Sequence, residues 1–207
     1  MGEWRGVGQP KRGSNQGPWA ESCRWAWHFF QELVELVAQL SDDKYFSRLR
    51  LQTGPSEGQF VPLATPKDAS PSPNVNASER FTGRLASGVL EVVADSAQSD
   101  RPARISQRLA AGSDRMLVLL ERRVAEDDFV LLAEVGSTRQ GSSFAQKGAA
   151  GRECIVTGGL GTIAVQHRGK KYFVCCSGCR DYFLDHADDV LAEYRKRRSL
   201  ESDNINP

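Results

Sequence analysis

Four cysteines in the C-terminal part of the chain have the residue type and spacing for metal chemistry. Cys175, Cys176 and Cys179 fall within one short run, and Cys154 stands upstream of them. Cysteine thiolates are among the ligands that Zn²⁺ takes in tetrahedral protein sites. The segments 163–167 and 171–174 are β-prone and flank a turn-like segment at 168–170, so we expect a hairpin that returns the chain to Cys154. The sequence therefore predicts a metal site whose thiols come from two distant points of the chain.

A helix is predicted directly after this hairpin. Ser177 and Gly178 suit a helix start, and the apolar residues at 182–184 follow a helix-compatible pattern. Cys179 would then lie in the first turn, where the positive end of the helix dipole favours a thiolate. A second helix is predicted from Ala187 to about Arg198, and its apolar residues are spaced to pack back on the first helix.

Three motifs in this region resemble a known family. They are the sequences Cys-Ile-Val-Thr-Gly-Gly at 154–159, Tyr-Phe-Val-Cys-Cys-Ser-Gly-Cys at 172–179 and the run at 183–194. Together they are similar to the TRASH and YHS group of small metal-binding modules, which are treble-clef relatives of a zinc knuckle in the large ribosomal subunit. The resemblance implies metal ligands at Cys154, Cys175 and Cys179. It also implies a role in heavy-metal sensing, trafficking or resistance.

The fourth ligand of such a site is left open. Treble clefs with a full structural site carry a second cysteine in the first knuckle, and Thr157 stands in its place. Cys176, His186, His167, water or a partner could supply the missing donor. Adjacent cysteines rarely aim at one ion, and His186 lies about two helical turns past Cys179. We therefore expect an incomplete shell of three thiolates that binds Zn²⁺ or another thiophilic metal such as Cu.

Composition and charge narrow the class of protein. The 207 residues carry 27 basic and 26 acidic side chains, a net charge of +1, which gives no overall attraction to nucleic acid or membrane. Five cysteines, an odd number, argue against a secreted disulfide framework. No apolar run is long enough to predict a transmembrane helix, and no signal peptide is predicted, which favours a cytoplasmic location. No catalytic triad, phosphate-binding loop or paired-carboxylate pattern is present, so we expect a binding protein and not an enzyme.

The predicted fold class is α+β, with separate segments along the chain. Leu33, Leu36, Val37 and Leu40 share one face of a predicted amphipathic helix, which could bind a protein partner. In the central segment we expect strands near 88–93, 116–120 and 129–135 and a helix over 104–111. The predicted organisation is 1–25 disordered, 26–50 amphipathic helix, 51–79 linker, 80–136 small β-rich segment, 137–151 tether, 152–198 metal-binding module and 199–207 tail.

Two other functions fit the same residues. In one, zinc only stabilises the fold of a module that presents the basic run Arg195–Arg198 to a protein or nucleic acid. The local excess of positive charge is small for such a role. In the other, Cys176 is a redox-active thiol beside a helix N-terminus. Metal capture, sensing or trafficking is the first hypothesis, and its discriminating feature is the set Cys154, Cys175 and Cys179.

Overall fold

Ten antiparallel strands close into a barrel, and a small C-terminal module packs against its outer face, in this computed structural model. The structure describes residues 2–30, 33–68, 78–96, 100–141 and 152–203. The barrel strands are β1 Gly2–Pro10, β2 Trp19–Phe30, β3 Leu33–Ser41, β4 Phe46–Thr53, β5 Gln59–Pro66, β6 Glu79–Ala86, β7 Val89–Ala94, β8 Arg104–Ala110, β9 Arg115–Arg123 and β10 Phe129–Arg139.

Pairing between the first and last strands closes the barrel. Each strand pairs with the next one along the chain, and β1 then pairs antiparallel with β10, from Trp4 opposite Arg139 to Pro10 opposite Ala133. Closure gives every strand two partners, so the sheet has no free edge. It also brings the N-terminal strand beside the strand that leads into the module.

Alternating side chains fill the barrel interior. On β9, Met116 and Leu120 are buried among interior residues, whereas Arg115 lies on the opposite face of the strand. Phe46 and Phe81 meet edge to face with ring centroids 6.2 Å apart. A cavity beside Phe81 has a volume of about 40 Å³.

The predicted α+β fold class is wrong, because the described chain is mostly strand and forms a closed barrel. The predicted amphipathic helix over 26–50 is also wrong, since this region forms β2, β3 and β4. Its aromatic and β-branched residues suit strands, and both neighbouring strands satisfy the backbone of β3. The protein partner proposed for that helix therefore loses its basis.

Other segment predictions need correction as well. Residues 2–10 and 19–25, predicted as disordered, are strand. The helix predicted over 104–111 is wrong, because residues 104–110 form β8. The predicted linker 51–79 contains β5, and β10 extends into the predicted tether as far as Arg139. The strands predicted in 80–136 are confirmed by β7, β9 and β10, but they belong to the barrel. Residues 69–77, 142–151 and 204–207, parts of the predicted linker, tether and tail, lie outside the described residues.

The C-terminal module consists of one hairpin and two helices. Strands β11 Ile163–His167 and β12 Lys170–Val174 pair antiparallel, and helices α1 Ser177–Asp185 and α2 Ala187–Asp203 follow. No helix in the described part of the chain is both long and apolar enough to span a membrane.

The module packs on the outward face of β1. Val7 is 3% exposed and belongs to the same buried cluster as Cys179 and Phe183 of α1. Gln9 Nε2 donates a hydrogen bond to Asp181 Oδ2 at 3.0 Å. A Cβ atom at Gly178 would lie 3.2 Å from Gln9 Oε1, so the helix backbone approaches β1 closely at this point. The module therefore has a fixed contact with the barrel at the start of α1.

Candidate metal centre

A tight turn carries Cys154 to the end of β12. The Gly158 N–H donates to the Cys154 carbonyl at 2.8 Å, and the Cys154 N–H donates to the Gly159 carbonyl at 2.6 Å. Gly158 has a φ of +77°, a conformation that glycine adopts at no steric cost. The Ile155 N–H donates to the Phe173 carbonyl at 3.0 Å, which anchors the turn on β12. Cys154 is thereby held close to the residues that follow this strand.

The other thiols lie where β12 passes into α1. Cys175 follows the last residue of β12, and its carbonyl accepts a hydrogen bond from Thr162 Oγ1 at 3.2 Å. Cys176 precedes the helix, and its carbonyl accepts from the Arg180 N–H at 3.0 Å. Cys179 lies in the first turn, as predicted, and is 0% exposed. Strand end and helix start thus present these thiols to the turn that carries Cys154.

Three thiols converge at this point. The Sγ atoms of Cys154, Cys175 and Cys179 all lie within 4.8 Å of one another, and Cys175 Sγ is 3.4 Å from Cys179 Sγ. A tetrahedral ion with Zn–S bonds of about 2.3 Å needs sulfur atoms roughly 3.8 Å apart. All three cysteines are free thiols. The donor set therefore fits one thiophilic ion after small side-chain adjustments.

The remaining candidate ligands lie outside this group. Cys176 Sγ is 3.7 Å from Cys175 Sγ, but within the described residues the donors grouped around one point are the three other thiols. The His186 ring packs against Tyr182, with ring centroids 4.7 Å apart. The His167 ring packs against Phe183, and its Nε2 lies 3.7 Å from Asp188. The fourth position of a tetrahedral site is therefore not filled by a histidine in this arrangement.

Thr157, which stands where the family pattern has a second cysteine, lies inside the site. Its backbone N–H points at Cys154 Sγ at 3.4 Å, and its Oγ1 lies 3.5 Å from Cys175 Sγ. The side chain is buried, with 1% exposure. Sequence spacing had marked Thr157 only as a departure from the family pattern, whereas the structure places it in contact with two of the thiols.

The barrel contributes two residues that the sequence interpretation missed. Arg115, at the start of β9, has its guanidinium beside Cys175, and Gln140 Nε2 donates to the Thr157 carbonyl at 3.0 Å. Neither residue belongs to a motif or lies near the cysteines in the chain. Only the position of the module on the barrel brings them to the thiols, so no local sequence signal could have found them.

The thiols differ in their affinity for protons. Hydrogen bonds from the neighbouring thiols of Cys154, Cys176 and Cys179, together with the Arg115 guanidinium, lower the pKa of Cys175. Burial, reinforced by the Cys175 thiolate, raises the pKa of Cys154 to about 11. The hydrogen bonds that Cys179 makes with the other three thiols raise its pKa. A bound cation would displace the protons of these thiols, because cysteine ligands bind metal as thiolates.

No family model matches the chain, and no curated protein matches it. The crystal structure of Rv2717c from M. tuberculosis aligns with 68% of this chain and 92% of its own, with a TM-score of 0.43 and 15% sequence identity.

Proposed function

We propose that this protein binds a thiophilic heavy-metal ion of the Zn²⁺ or Cu(I) class through Cys154, Cys175 and Cys179. The observation that carries the proposal is the convergence of their sulfur atoms to within 4.8 Å of one another. A turn, a strand end and a helix start each contribute one thiol, and none of the three is in a disulfide. The resemblance of this segment to the TRASH and YHS modules supports the same chemistry.

The arrangement suits capture or exchange of an ion more than permanent storage. Cys154 and Cys179 are 0% exposed, whereas Cys175 is half-buried. Three thiolates leave one position of a tetrahedral ion open to an incoming ligand. A partner thiol could therefore bind the ion at this fourth position. Sensing, trafficking or delivery of the metal would use this open position.

A nucleic-acid role for the basic run Arg195–Arg198 has less support. Arg197 Nη2 donates to Glu153 Oε1 and to the Ile155 carbonyl, both at 3.2 Å. Arg198 Nη1 lies 3.9 Å from Glu153 Oε2. These contacts tie α2 to the segment that carries Cys154, so part of the run stabilises the module itself.

The close approach of two thiols favours a second candidate, a dithiol redox pair. Cys175 Sγ and Cys179 Sγ are 3.4 Å apart, and the pKa of Cys175 is lowered by its thiol neighbours. Oxidation would join these sulfur atoms and pass two electrons and two protons to a disulfide of an oxidised partner, which is reduced to thiols. This reaction would need no metal, so it is separable from metal binding by experiment.

Metal content tests the proposal directly. We expect the full chain to bind about one Zn²⁺ or Cu(I), because one set of thiolates can surround one ion. Elemental analysis of the Cys175→Ser, Cys179→Ser double variant should show loss of the metal. The matched control is Cys23→Ala, which removes a buried thiol of the barrel interior.

Two results would reject the assignment. Unchanged metal content in the double variant would show that the ion binds elsewhere. The second result would be a thiol titration that finds the same number of reactive thiols before and after chelation. Removal of a bound metal should instead expose additional reactive thiols. If oxidation lowers the number of titratable thiols by the same amount with and without the chelator, the result would favour the redox pair.

A further inference from the structure

Arg115 is hydrogen-bonded to the neighbouring strand on the outer face of the barrel. Its Nη1 donates to Thr138 Oγ1 at 3.4 Å, and Thr138, on the adjacent strand β10, is 0% exposed. A Cβ atom at Gly136 would lie 3.3 Å from Arg115 Nη2, so the absence of a side chain there leaves room for the guanidinium. Strands β9 and β10 thus give this cation a defined position.

The guanidinium of Arg115 faces the thiols. The guanidinium hydrogen-bonds Cys175 and interacts more weakly with Cys176 and Cys179. Thr138, which accepts from Arg115, is joined through Gln140 to Thr157, and Thr157 Oγ1 lies 3.5 Å from Cys175 Sγ. The thiols of Cys175, Cys176 and Cys179 lie at the end of β12 and the start of α1. Arg115 therefore approaches the site from the barrel, whereas all of the proposed ligands come from the module.

Charge balance explains why such a cation would matter. Zn²⁺ with three thiolates carries an excess negative charge, and Cys154 and Cys179 are 0% exposed. An uncompensated charge in a water-poor environment is costly, and a nearby fixed cation offsets that cost. Arg115 is permanently protonated, so it can supply this compensation at any physiological pH.

A second barrel residue reaches the same site. Gln140 Nε2 donates to the Thr157 carbonyl at 3.0 Å and to the Thr138 carbonyl at 3.2 Å. Thr157 in turn directs its N–H at Cys154 Sγ. The barrel is thereby linked to the site at Cys175 through Arg115 and at Cys154 through Gln140 and Thr157.

We infer that the barrel completes the metal centre, with Arg115 acting as a positioning residue that balances the charge of a divalent cation bound by three thiolates. The inference rests on the proposed function and adds the barrel to it. Coupling between sites is reciprocal, so an ion that binds more tightly in the presence of Arg115 must also hold the module more tightly on the barrel.

The affinity of the full chain for Zn²⁺ tests this inference, measured in competition with a chromophoric chelator. We expect Arg115→Gln to weaken Zn²⁺ binding by about tenfold or more, the range seen when residues behind metal ligands are removed. Arg115→Lys keeps the charge and should restore most of the affinity. Arg122→Gln removes an exposed cation from the same strand and should bind like the unmodified protein.

Spectroscopy separates charge balance from disruption of the site. Cd²⁺ bound by thiolates gives a ligand-to-metal absorption band, and Arg115→Gln should retain this band at saturating Cd²⁺ because all three thiolates remain. If Arg115→Gln fails to fold, Thr138→Val provides a second variant. It removes the hydroxyl that holds the guanidinium, and it should weaken Zn²⁺ binding in the same direction by a smaller factor.

The outcomes distinguish failure of this inference from failure of the proposed function. Absence of Zn²⁺ and Cu(I) binding in the unmodified chain would reject both. Normal binding by the unmodified chain with equal affinity in Arg115→Gln would reject only the role of Arg115. A lysine variant as weak as the glutamine variant would also overturn it, because the positive charge would then not be the property that matters.

Discussion

Thr157 shows how one side chain can set the openness of a metal centre. It lies between two proposed ligands, with its N–H 3.4 Å from Cys154 Sγ and its hydroxyl 3.5 Å from Cys175 Sγ. A hydroxyl is a poor ligand for a soft ion, whereas a thiolate in the same place would be a good one. Threonine at this position therefore keeps the donor set at three sulfur atoms.

Thr157→Cys should close the site. A fourth thiolate would complete a tetrahedral shell, and we expect Zn²⁺ affinity to rise by about tenfold or more. Thr157→Val serves as the control, because it changes the side chain without adding a donor, and its affinity should stay within a few-fold of the unmodified protein. Chelator competition measures both variants. Equal affinities of Thr157→Cys and the unmodified chain would contradict the geometry described for the site.

At the scale of elements, the turn that carries Cys154 depends on close contact with β12. Gly161 is buried where the chain leaves this turn, and its N–H donates to the Arg152 carbonyl at 2.6 Å. A Cβ atom at Gly161 would lie 2.5 Å from Phe173 Cβ and 2.9 Å from the Arg152 carbonyl oxygen. Contacts this short require backbone movement, and the movement would separate Cys154 from Cys175.

Gly161→Ala should therefore impair metal binding more than it impairs the barrel. We expect Zn²⁺ affinity to fall by at least about tenfold, since a small displacement of one ligand breaks the tetrahedral geometry. Near-UV circular dichroism from the barrel tryptophans should persist. Gly17→Ala is the control, because a Cβ atom there meets no atom within 4 Å. Normal affinity in Gly161→Ala would show that the turn can move without affecting the site.

At the scale of the whole molecule, the barrel contains an interacting pair of carboxyl groups apart from the metal centre. Glu21 on β2 accepts a hydrogen bond from Trp19 Nε1 at 2.7 Å, and Asp43 Oδ1 accepts from the backbone N–H groups of Tyr45 and Phe46, both at 2.7 Å. Burial, followed by the charge of Asp43, raises the pKa of Glu21 to about 8. The folded barrel thus holds a proton on Glu21 that the unfolded chain would release at lower pH.

This proton gives barrel stability a definite pH dependence. Glu21 has a raised pKa, so its favourable contribution is complete below its unfolded value of 4.5 and is lost as pH rises towards about 8. We expect the free energy of unfolding from urea titrations to fall between about pH 5 and about pH 9. Glu21→Gln should flatten this slope, whereas Glu57→Gln at an exposed position should not. Identical slopes in all three proteins would exclude Glu21 as the cause.

Local sequence determined the parts of the candidate site that lie within one hairpin and one helix. The β-prone segments around the turn at 168–170 became β11 and β12, and Cys179 took its place in the first turn of α1. These features depend on residues a few positions apart, so propensity and spacing could predict them. The meeting of Cys154 with Cys175 and Cys179 followed from the same local pattern.

Tertiary structure alone decided the barrel and its share of the site. The apolar spacing of 33–40 suits a helix in isolation, but pairing with β2 and β4 made it a strand. Closure by β1 and β10 joins residues more than a hundred positions apart, and no local pattern encodes that register. The positions of Arg115 beside Cys175 and of Gln140 beside Thr157 follow from this closure and from the packing of α1 on Val7. The chain's local chemistry therefore specified the thiol donors, and long-range strand pairing specified what surrounds them.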